Sequence, residues 1–413
     1  MRILMLTESN YPVDIRIKQE AEVLTNNGHS VSVIAIREDE QPSFEEINNV
    51  KVYRVPKIEL FKTGKQKSST GKNKINKILI MLQAVLGYCF EYAYFTTACF
   101  FLSFYMLFFN RFDVIHTHNP PDTLFVVALF YKFLFRKKFV YDHHDLSPDL
   151  FTEKYGDRAK IVFKILLMLE YLSCKSADMV IATNESYKEV EIDRCGVKPE
   201  QIFIVRNGPD LNKMKRVEPV ESLRKKGKTV LCYIGAINIQ DGVQHLILML
   251  SKMVNKYGFK DVLQLIIGDG EYLDEVKKLA KELGVNDYIE YTGLVKDRQE
   301  INRLLSSADI FVDAAPSSFL NNRSTFIKHM EYMVFGKPVV SFDLKESMFS
   351  LKNAGMFVPS GDVDKMAETI IQLIKDDRKR EEMGEYAKQR ISKLDWSTVS
   401  VPLIELYRKL ESK

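Results

Sequence analysis

The sequence predicts an α/β fold in two domains. Short runs rich in Ile and Val alternate with longer helical segments along the whole chain, the pattern of β-α-β units around covered parallel sheets. The strand-like runs form two series, separated by a polar stretch near residues 210–225 with little apolar content. A length of 413 residues also suits two domains of about 200 residues better than one.

Twelve runs are predicted to be strands. The first series lies at 3–7, 31–36, 52–55, 114–117, 139–142, 179–182 and 202–205. The second series lies at 230–234, 264–267, 289–291, 310–312 and 339–342. Sheets of this kind bind ligands at the carboxyl ends of their strands, so we expect function there, with the two domains facing each other across a cleft.

The composition is that of a folded protein, with 46% hydrophobic and 28% charged residues. A net charge of only +4 gives no reason to expect a nucleic-acid partner. The five cysteines are scattered without metal-ligand spacing, which favours free thiols in a reducing compartment. The first eight residues read as a strand and not as a signal peptide, so we expect a cytoplasmic protein.

One segment of the first domain, residues 62–111, is predicted to associate with membranes. Residues 78–109 carry a single charge, Glu91, and the basic residues around them suit an anionic lipid surface. A single membrane crossing is excluded, because strands before and after the segment must join one sheet on one side of the bilayer. A buried core helix beside a mobile lysine loop is the alternative.

Seven motifs in order resemble those of one family across almost the whole chain. They lie at 12–16, 113–118, 140–145, 205–210, 267–270, 291–293 and 328–340. The family is the retaining glycosyltransferases of family four, of the polysaccharide and O-antigen type. Its fold, GT-B, consists of two Rossmann-like domains facing each other across a cleft.

The resemblance implies an acceptor-binding domain over 1–210 and a nucleotide-sugar-binding domain over 225–392. A terminal helix over 393–413 would cross back to the first domain. The implied reaction moves a sugar, with retention, from a nucleotide-diphosphate sugar to a lipid-linked saccharide, in surface polysaccharide assembly. A UDP-sugar is the favoured donor, and a polyprenyl diphosphate is the implied carrier. No metal or other cofactor is expected, and the enzyme would sit on the inner face of the cell membrane.

Several candidate site residues follow. Glu331 lies in a helix ahead of the turn at 336–338, where its carboxylate can accept hydrogen bonds from two ribose hydroxyls. In the family, the matching Glu binds the ribose and the His matching His144 contacts the transferred sugar. Because His143 is adjacent, it is the alternative candidate for this contact. The matched motifs also assign Asn207 and Gly293 to donor binding.

The diphosphate site departs from the family pattern. An Arg and a Lys are usual where this chain has Ala236 and Asp241. The backbone amides near Gly235 and the following helix start, or the guanidinium of Arg16, are the candidate replacements.

A second departure places Arg323 where the family has the first of two carboxylates, eight residues before Glu331. A guanidinium there suits a phosphate, or a donor that carries a carboxylate, better than a neutral sugar. Arg323 and Lys328 are therefore the further catalytic candidates, beside His144.

Two questions stay open at this point. His116 and His118 share a strand end, and we expect only one of them, His118, to face the cleft. The fold also serves nucleotide-sugar 2-epimerases and phosphorylases, and both departures would suit a catalytically silent scaffold in a polysaccharide-assembly complex. Nucleotide binding separates that scaffold from the enzyme.

Overall fold

The computed structural model describes residues 1–38, 40–58, 74–109, 111–156, 160–209, 211, 214–224 and 228–412, without the side chains of 74–82 and 224. The chain folds into two compact units. The first consists of Met1–Arg206 with Ser400–Lys413, and the second of Asn207–Val399. Of the predicted lysine-rich flank, Lys62, Lys65, Lys67 and Lys72 lie outside the described residues, as do the side chains of Lys74 and Lys77.

The first unit is built on an eight-stranded sheet in the order β3-β4-β2-β1-β5-β6-β7-β8. All pairs are parallel except β3 with β4. The strands are β1 (Arg2–Asn10), β2 (Ser30–Arg37), β3 (Phe44–Ile47), β4 (Val50–Pro56), β5 (Val114–His118), β6 (Lys138–His143), β7 (Met179–Ala182) and β8 (Ile202–Ile204). The inner strands are buried on both faces because helices cover both faces of a parallel sheet.

Within the described part of the chain, seven α-helices belong to the first unit. They are α1 (Ile15–Asn26), α2 (Lys74–Phe109), α3 (Leu124–Phe135), α4 (Ser147–Tyr155), α5 (Lys160–Ser176), α6 (Glu185–Asp193) and the terminal α16 (Val401–Glu411). Helix α2 packs on α3, and α3 packs on α5, so these three form one layer. Helix α16 packs against α1 and β8, which ties the end of the chain to the first unit.

The second unit has a six-stranded parallel sheet in the order β11-β10-β9-β12-β13-β14. Its strands are β9 (Thr229–Ile234), β10 (Val262–Ile267), β11 (Ile289–Gly293), β12 (Ile310–Asp313), β13 (Val339–Phe342) and β14 (Gly355–Val358). Its helices are α7 (Glu221–Arg224), α8 (Val243–Ser251), α9 (Leu273–Glu282), α10 (Arg298–Ser306), α11 (Ile327–Val334), α12 (Lys345–Leu351), α13 (Val363–Ile374), α14 (Asp377–Ile391) and α15 (Trp396–Val399).

All twelve predicted strands are present, and the predicted α/β class is confirmed. Two strands were missed, β3 and β14, and both lie at a sheet edge. Strand β3 is four residues long and half exposed, with two Glu at its centre, and β14 begins with Gly355. Neither has the run of buried β-branched residues by which a strand is recognised in a sequence.

Candidate active site

Two groups of candidate residues lie at strand ends, one in each unit. In the first unit the centre of the group is Asp142, a fully buried carboxylate in β6. Arg16, in the first turn of α1, donates from Nε to Asp142 Oδ2 at 2.9 Å and from Nη2 to Oδ1 at 2.7 Å. The guanidinium also contacts Glu20 at 3.1 Å and donates to the carbonyl of Val205 at 3.0 Å.

Arg16 is therefore committed to protein groups. Its side chain is 7% exposed and bridges α1 to β6, so its charge is balanced inside the unit. Burial would lower its pKa, but the charges of Asp142 and Glu20 outweigh that effect and raise it. The same contact holds the pKa of Asp142 well below its usual range against the effect of burial. In this structure the guanidinium is paired with Asp142 and Glu20, and the role of Arg16 in binding the diphosphate stays a prediction.

His144 is the accessible histidine of this group. Its Nδ1 lies 3.2 Å from Asp142 Oδ2, and its side chain is 17% exposed. Burial alone would lower the pKa of His144, but the hydrogen bond and charge of Asp142 raise it above the ordinary value. His143, by contrast, is fully buried, with Nδ1 at 3.2 Å from Glu191 Oε1. Of the two adjacent histidines, only His144 is placed to meet a ligand.

The expectation for His116 and His118 was wrong. The two rings stack with centroids 4.3 Å apart, because residues i and i+2 of a strand share one face. Both side chains are buried, His116 with Nδ1 at 3.0 Å from the hydroxyl of Tyr407 and His118 with Nδ1 at 2.9 Å from Asp142 Oδ2. Burial lowers the pKa of each, most strongly for His116, so both are held neutral.

Among the described residues, one cluster has the composition of a metal site. Ligand atoms of Glu20, His116, His118 and Asp142 all lie within 4.8 Å of one another in the buried core of the first unit. Arg16 already supplies a positive charge to both carboxylates. Burial, followed by the charge of Asp142, raises the pKa of Glu20 to about 8. A divalent ion at this cluster would have to compete with that guanidinium.

Asn119 fixes the loop that carries His144, and the sequence reading missed it. Its buried side-chain oxygen accepts from the backbone N–H of His144 at 2.9 Å and of Asp145 at 3.1 Å. Its side-chain nitrogen donates to the carbonyl of Asp145 at 2.6 Å. A short polar residue directly after a strand that ends in His118 was the available signal.

In the second unit, glycines bring three strand ends close together. Gly235 follows β9, Gly268 follows β10, and Gly293 ends β11. The backbone N–H of Gly235 donates to the carbonyl oxygen of Ile267, and the N–H of Gly268 donates to the carbonyl oxygen of Gly293, both at 3.0 Å. A Cβ on Gly268 would lie 1.9 Å from the carbonyl oxygen of Gly235, so only glycine fits. These three glycines therefore lie close together at the ends of the adjacent strands β11, β10 and β9.

Helix α11 carries the charged candidates. The Nζ of Lys328 lies 2.9 Å from Asp313 Oδ1, and His329 Nε2 lies 2.7 Å from Asp313 Oδ2. Burial would lower the pKa of Lys328, but the charge of Asp313 raises it, so the lysine stays charged. Its Nζ stands 4.6 Å from the centre of the Tyr233 ring, and the Tyr233 hydroxyl donates to the carbonyl of Ala236. Lys328 therefore lies beside the loop that lacks the usual cations.

Glu331 lies one turn further along α11. Its Oε1 is 3.5 Å from Arg298 Nη2, at the start of α10, and its side chain is 18% exposed. Burial raises its pKa, and Arg298 partly opposes that effect. The carboxylate is thus partly accessible and oriented by a long, weak ion pair, which a ligand can replace.

Asp241, at the position where the family has Lys, is a structural residue. Its Oδ2 accepts from the N–H of Asn238 at 3.0 Å and closes a capping box at a short helical turn. Gly242 then turns the chain into α8 with a φ of 72°, and a Cβ there would lie 2.0 Å from Ala314 O. Where the family has a cation, this chain has a carboxylate that stabilises the turn.

Arg323 lies in the loop between β12 and α11. Its guanidinium stacks on the Phe319 ring at 3.7 Å, and Nη1 donates to the Phe319 carbonyl at 3.3 Å. Nearby Asn321 donates to the carbonyls of Gln240, at 3.0 Å, and Pro316, at 2.9 Å, which joins this loop to the turn before α8. Asn207, the first residue of the second unit, is half-buried.

Comparison with known proteins agrees with this arrangement. The model described as "Glycosyl transferases group 1" matches residues 214–390, and that of "Glycosyltransferase Family 4" matches residues 82–213. An uncharacterized glycosyltransferase of Methanocaldococcus jannaschii is 26% identical, over 99% of this chain and 98% of its own length. A phosphatidyl-myo-inositol mannosyltransferase of Mycolicibacterium smegmatis is 30% identical over 49% of this chain and 50% of its own length.

Solved structures share the fold. A sucrose-phosphate synthase from Thermosynechococcus elongatus has a TM-score of 0.72 at 18% identity, covering 100% of this chain and 99% of that one. The Anabaena protein HepE in complex with UDP has a TM-score of 0.70 at 18% identity, with full coverage of both chains. Two glycosyltransferase models thus fit consecutive parts of one chain with two Rossmann-like domains. Residues 214–390 are thus similar to the group 1 glycosyltransferases, and the matches together support a glycosyltransferase.

Proposed function

We propose that this protein transfers a sugar, with retention, from a UDP-sugar to a lipid-linked saccharide during surface polysaccharide assembly. The proposal rests on two charged side chains of α11, the partly exposed Glu331 and the more buried Lys328. Both belong to the unit in which glycines line the ends of β9 and β10. A carboxylate suits the two ribose hydroxyls, and a lysine with backbone amides suits a diphosphate. The two residues lie about one helical turn apart in α11.

Lys328 is proposed as the replacement for the missing cations at Ala236 and Asp241. Charge develops on the leaving diphosphate during transfer, so a preorganised cation lowers the barrier. Asp313 holds the lysine in place and keeps it charged through burial. Gly235 and Gly293 would let the backbone approach the donor closely, and Arg323 would meet a negative group of the donor. Asn207 is retained as a donor contact from its motif alone.

His144 is proposed to contact the transferred sugar. Asp142 accepts from Nδ1 when that nitrogen is protonated, which leaves Nε2 for the ligand. No protein nucleophile is needed if the acceptor hydroxyl attacks the face from which the diphosphate leaves, so positioning and electrostatics would carry the catalysis. We propose that the reaction requires no metal.

A UDP donor is favoured because the Anabaena HepE structures contain UDP and UDP-glucose. A lipid-linked acceptor is favoured because the mycobacterial relative is named for a phosphatidyl-inositol acceptor and because helix α2 is apolar. The proposed location is the cytoplasmic face of the cell membrane. The departures at Ala236, Asp241 and Arg323 favour one other candidate, a silent scaffold that binds no donor.

Thermal unfolding with UDP, GDP and their common sugar conjugates tests the proposal. Ligand at 100 times its dissociation constant should stabilise the protein by about 2.7 kcal/mol. Glu331→Ala should remove this stabilisation while leaving the unliganded midpoint nearly unchanged, because the Arg298 pair is long and partly exposed. Lys252→Met, which breaks a surface ion pair with Asp364, is the matched control. Stabilisation by no nucleotide at all would favour the silent scaffold.

A further inference from the structure

The outer surface of the α2–α3–α5 layer is apolar. Helices that cover a sheet normally bury one stripe and present a polar one to water. Here α2 has an exposed stripe at helical spacing, formed by Leu86, Phe90, Phe101, Phe104 and Phe108. Its opposite side is buried in the unit, with Phe95, Cys99 and Met106 each at most 1% exposed.

The neighbouring helices continue this surface. On α3 the exposed stripe is Val126, Phe133 and Leu134, with Phe133 at 77% exposure. On α5 it is Ile161, Ile165, Met168 and Leu172, with Ile161 at 76%. Packing of the Phe100 ring on the Phe130 ring, at 4.8 Å, and a hydrogen bond between Ser103 and Tyr131 at 3.0 Å hold α2 against α3. Because α3 also packs on α5, the three stripes belong to one layer of helices.

The area is large for a surface in water. Five phenylalanines of α2 (Phe90, Phe101, Phe104, Phe108 and Phe109) have exposed fractions from 39% to 70%. With about 150–250 Å² per aromatic side chain, they alone expose roughly 400–700 Å². The largest apolar patch on a typical monomer is about 300–600 Å², and it is often functional. The stripes on α3 and α5 come in addition.

Among the described residues of this layer, the exposed charges are basic, and Glu91 of α2 is half-buried. On α5 the exposed charged residues are Lys160, Lys164 and Lys175, whereas its one acidic residue, Glu170, is buried against Arg194. Arg136 follows α3 and is exposed, and Arg111 follows α2. Basic residues around aromatic and aliphatic stripes match an anionic lipid surface. A second copy on the same face would bring these like charges together.

We infer that the α2–α3–α5 layer is a monotopic docking face for an anionic lipid bilayer. Helix α2 is long and apolar enough to cross a membrane, over Gln83–Phe109 with a mean hydropathy of 1.5. It lies along the surface instead, because its buried side is part of the protein core while the exposed stripe runs from Leu86 to Phe108. At 1.5 Å per residue that stripe is about 33 Å long. The inference does not depend on the transferase activity.

Flotation of the full chain with vesicles tests the inference. The protein should float with vesicles of phosphatidylcholine mixed with phosphatidylglycerol, and less with phosphatidylcholine alone. Ile165→Glu combined with Met168→Glu should weaken partitioning tenfold or more, because two exposed apolar side chains become charged (about tenfold for each buried aliphatic group). Val401→Glu, a similarly exposed site on α16, is the control and should float like the wild type.

A second variant tests the charge argument. Lys160→Ala with Lys164→Ala should weaken binding to anionic vesicles by about fivefold for each lysine and leave neutral vesicles unaffected. Unfolding midpoints equal to that of the wild type show that the variants fold. Unchanged flotation of the Ile165/Met168 variant would overturn the inference. So would a wild type that ignores vesicles but forms dimers which this variant dissociates.

Discussion

Lys328 and Asp313 offer the sharpest test of how this chain meets the charge of a diphosphate. Lys328 is 10% exposed and Asp313 is 1% exposed, with 2.9 Å between Nζ and Oδ1. Lys328→Met removes the ammonium charge beside Asp313 and leaves the buried carboxylate with the ring of His329 at hydrogen-bond distance. Loss of one partner of a buried pair costs about 3–5 kcal/mol. For a unit of this size, that is a fall of about 10 °C in the unfolding midpoint.

The double variant Lys328→Met/Asp313→Asn separates folding from binding. It removes both charges, so most of the stability should return, since neutral replacements of buried pairs are well tolerated. The lost hydrogen bond from a charged donor to phosphate is worth about 1.5–3 kcal/mol. Its absence should weaken UDP binding by about 10–150-fold.

Isothermal titration of both variants with UDP, UMP and uridine is the assay. The loss should be largest for UDP and absent for uridine, which has no phosphate. Lys252→Met removes an exposed lysine paired with Asp364 and should change neither stability nor UDP affinity appreciably. A folded double variant that binds UDP as tightly as the wild type would refute the role of Lys328. An equal loss for UDP and uridine would refute it as well.

Three further predictions concern the first unit. His144→Ala should lower kcat/KM by roughly 10–150-fold with little change in UDP affinity, as expected for loss of one hydrogen bond to the transferred sugar. Transfer assays and titration measure both, and weaker UDP binding alone would contradict a sugar contact. Because the folded pKa of Glu20, about 8, lies above its unfolded value, its stabilising contribution is complete below the unfolded pKa and is lost as pH rises through 8. The unfolding midpoint of the wild type should therefore fall relative to that of Glu20→Gln between about pH 5 and about pH 9, and parallel curves would contradict this. Transfer activity should survive treatment with EDTA, and a loss restored by a divalent ion would point to the cluster of Glu20, His116, His118 and Asp142.

The strands could be predicted because their residues are buried on both faces. Strand β7 is an uninterrupted apolar run, and β13 is interrupted only by Ser341; such runs can be recognised without knowledge of distant contacts. The edge strands β3 and β14 lack that signal. Each of these two edge strands forms because it pairs with a neighbouring strand, and such pairing cannot be recognised from a few consecutive residues of sequence.

The chemical groups at the site could be identified, but not their pairing. Arg16 and Asp142 are 126 positions apart, and nothing local indicates that one guanidinium serves a carboxylate on another strand. The contact between His116 and His118, by contrast, could have been predicted from the sequence, because the two-residue period of a strand places both on one face. Asp313, which sets the charge of Lys328, was not identified because it reads as the polar end of a buried strand.

Both units use the same device at a strand end. A buried aspartate, Asp142 in β6 or Asp313 in β12, contacts both a cation from the first turn of a helix and a histidine ring. The carboxylate orients the cation but also cancels much of its charge. A ligand phosphate would therefore meet a well-placed cation with a reduced field.

Asp313→Asn alone makes that trade-off measurable. It should free the charge of Lys328, strengthen UDP binding, and destabilise the unliganded protein, because a buried lysine then lacks its counter-charge. Titration measures the UDP affinity of this variant, and thermal unfolding measures its stability without ligand. Weaker UDP binding by a folded Asp313→Asn would mean that orientation of Lys328, and not its net charge, is what the phosphate requires.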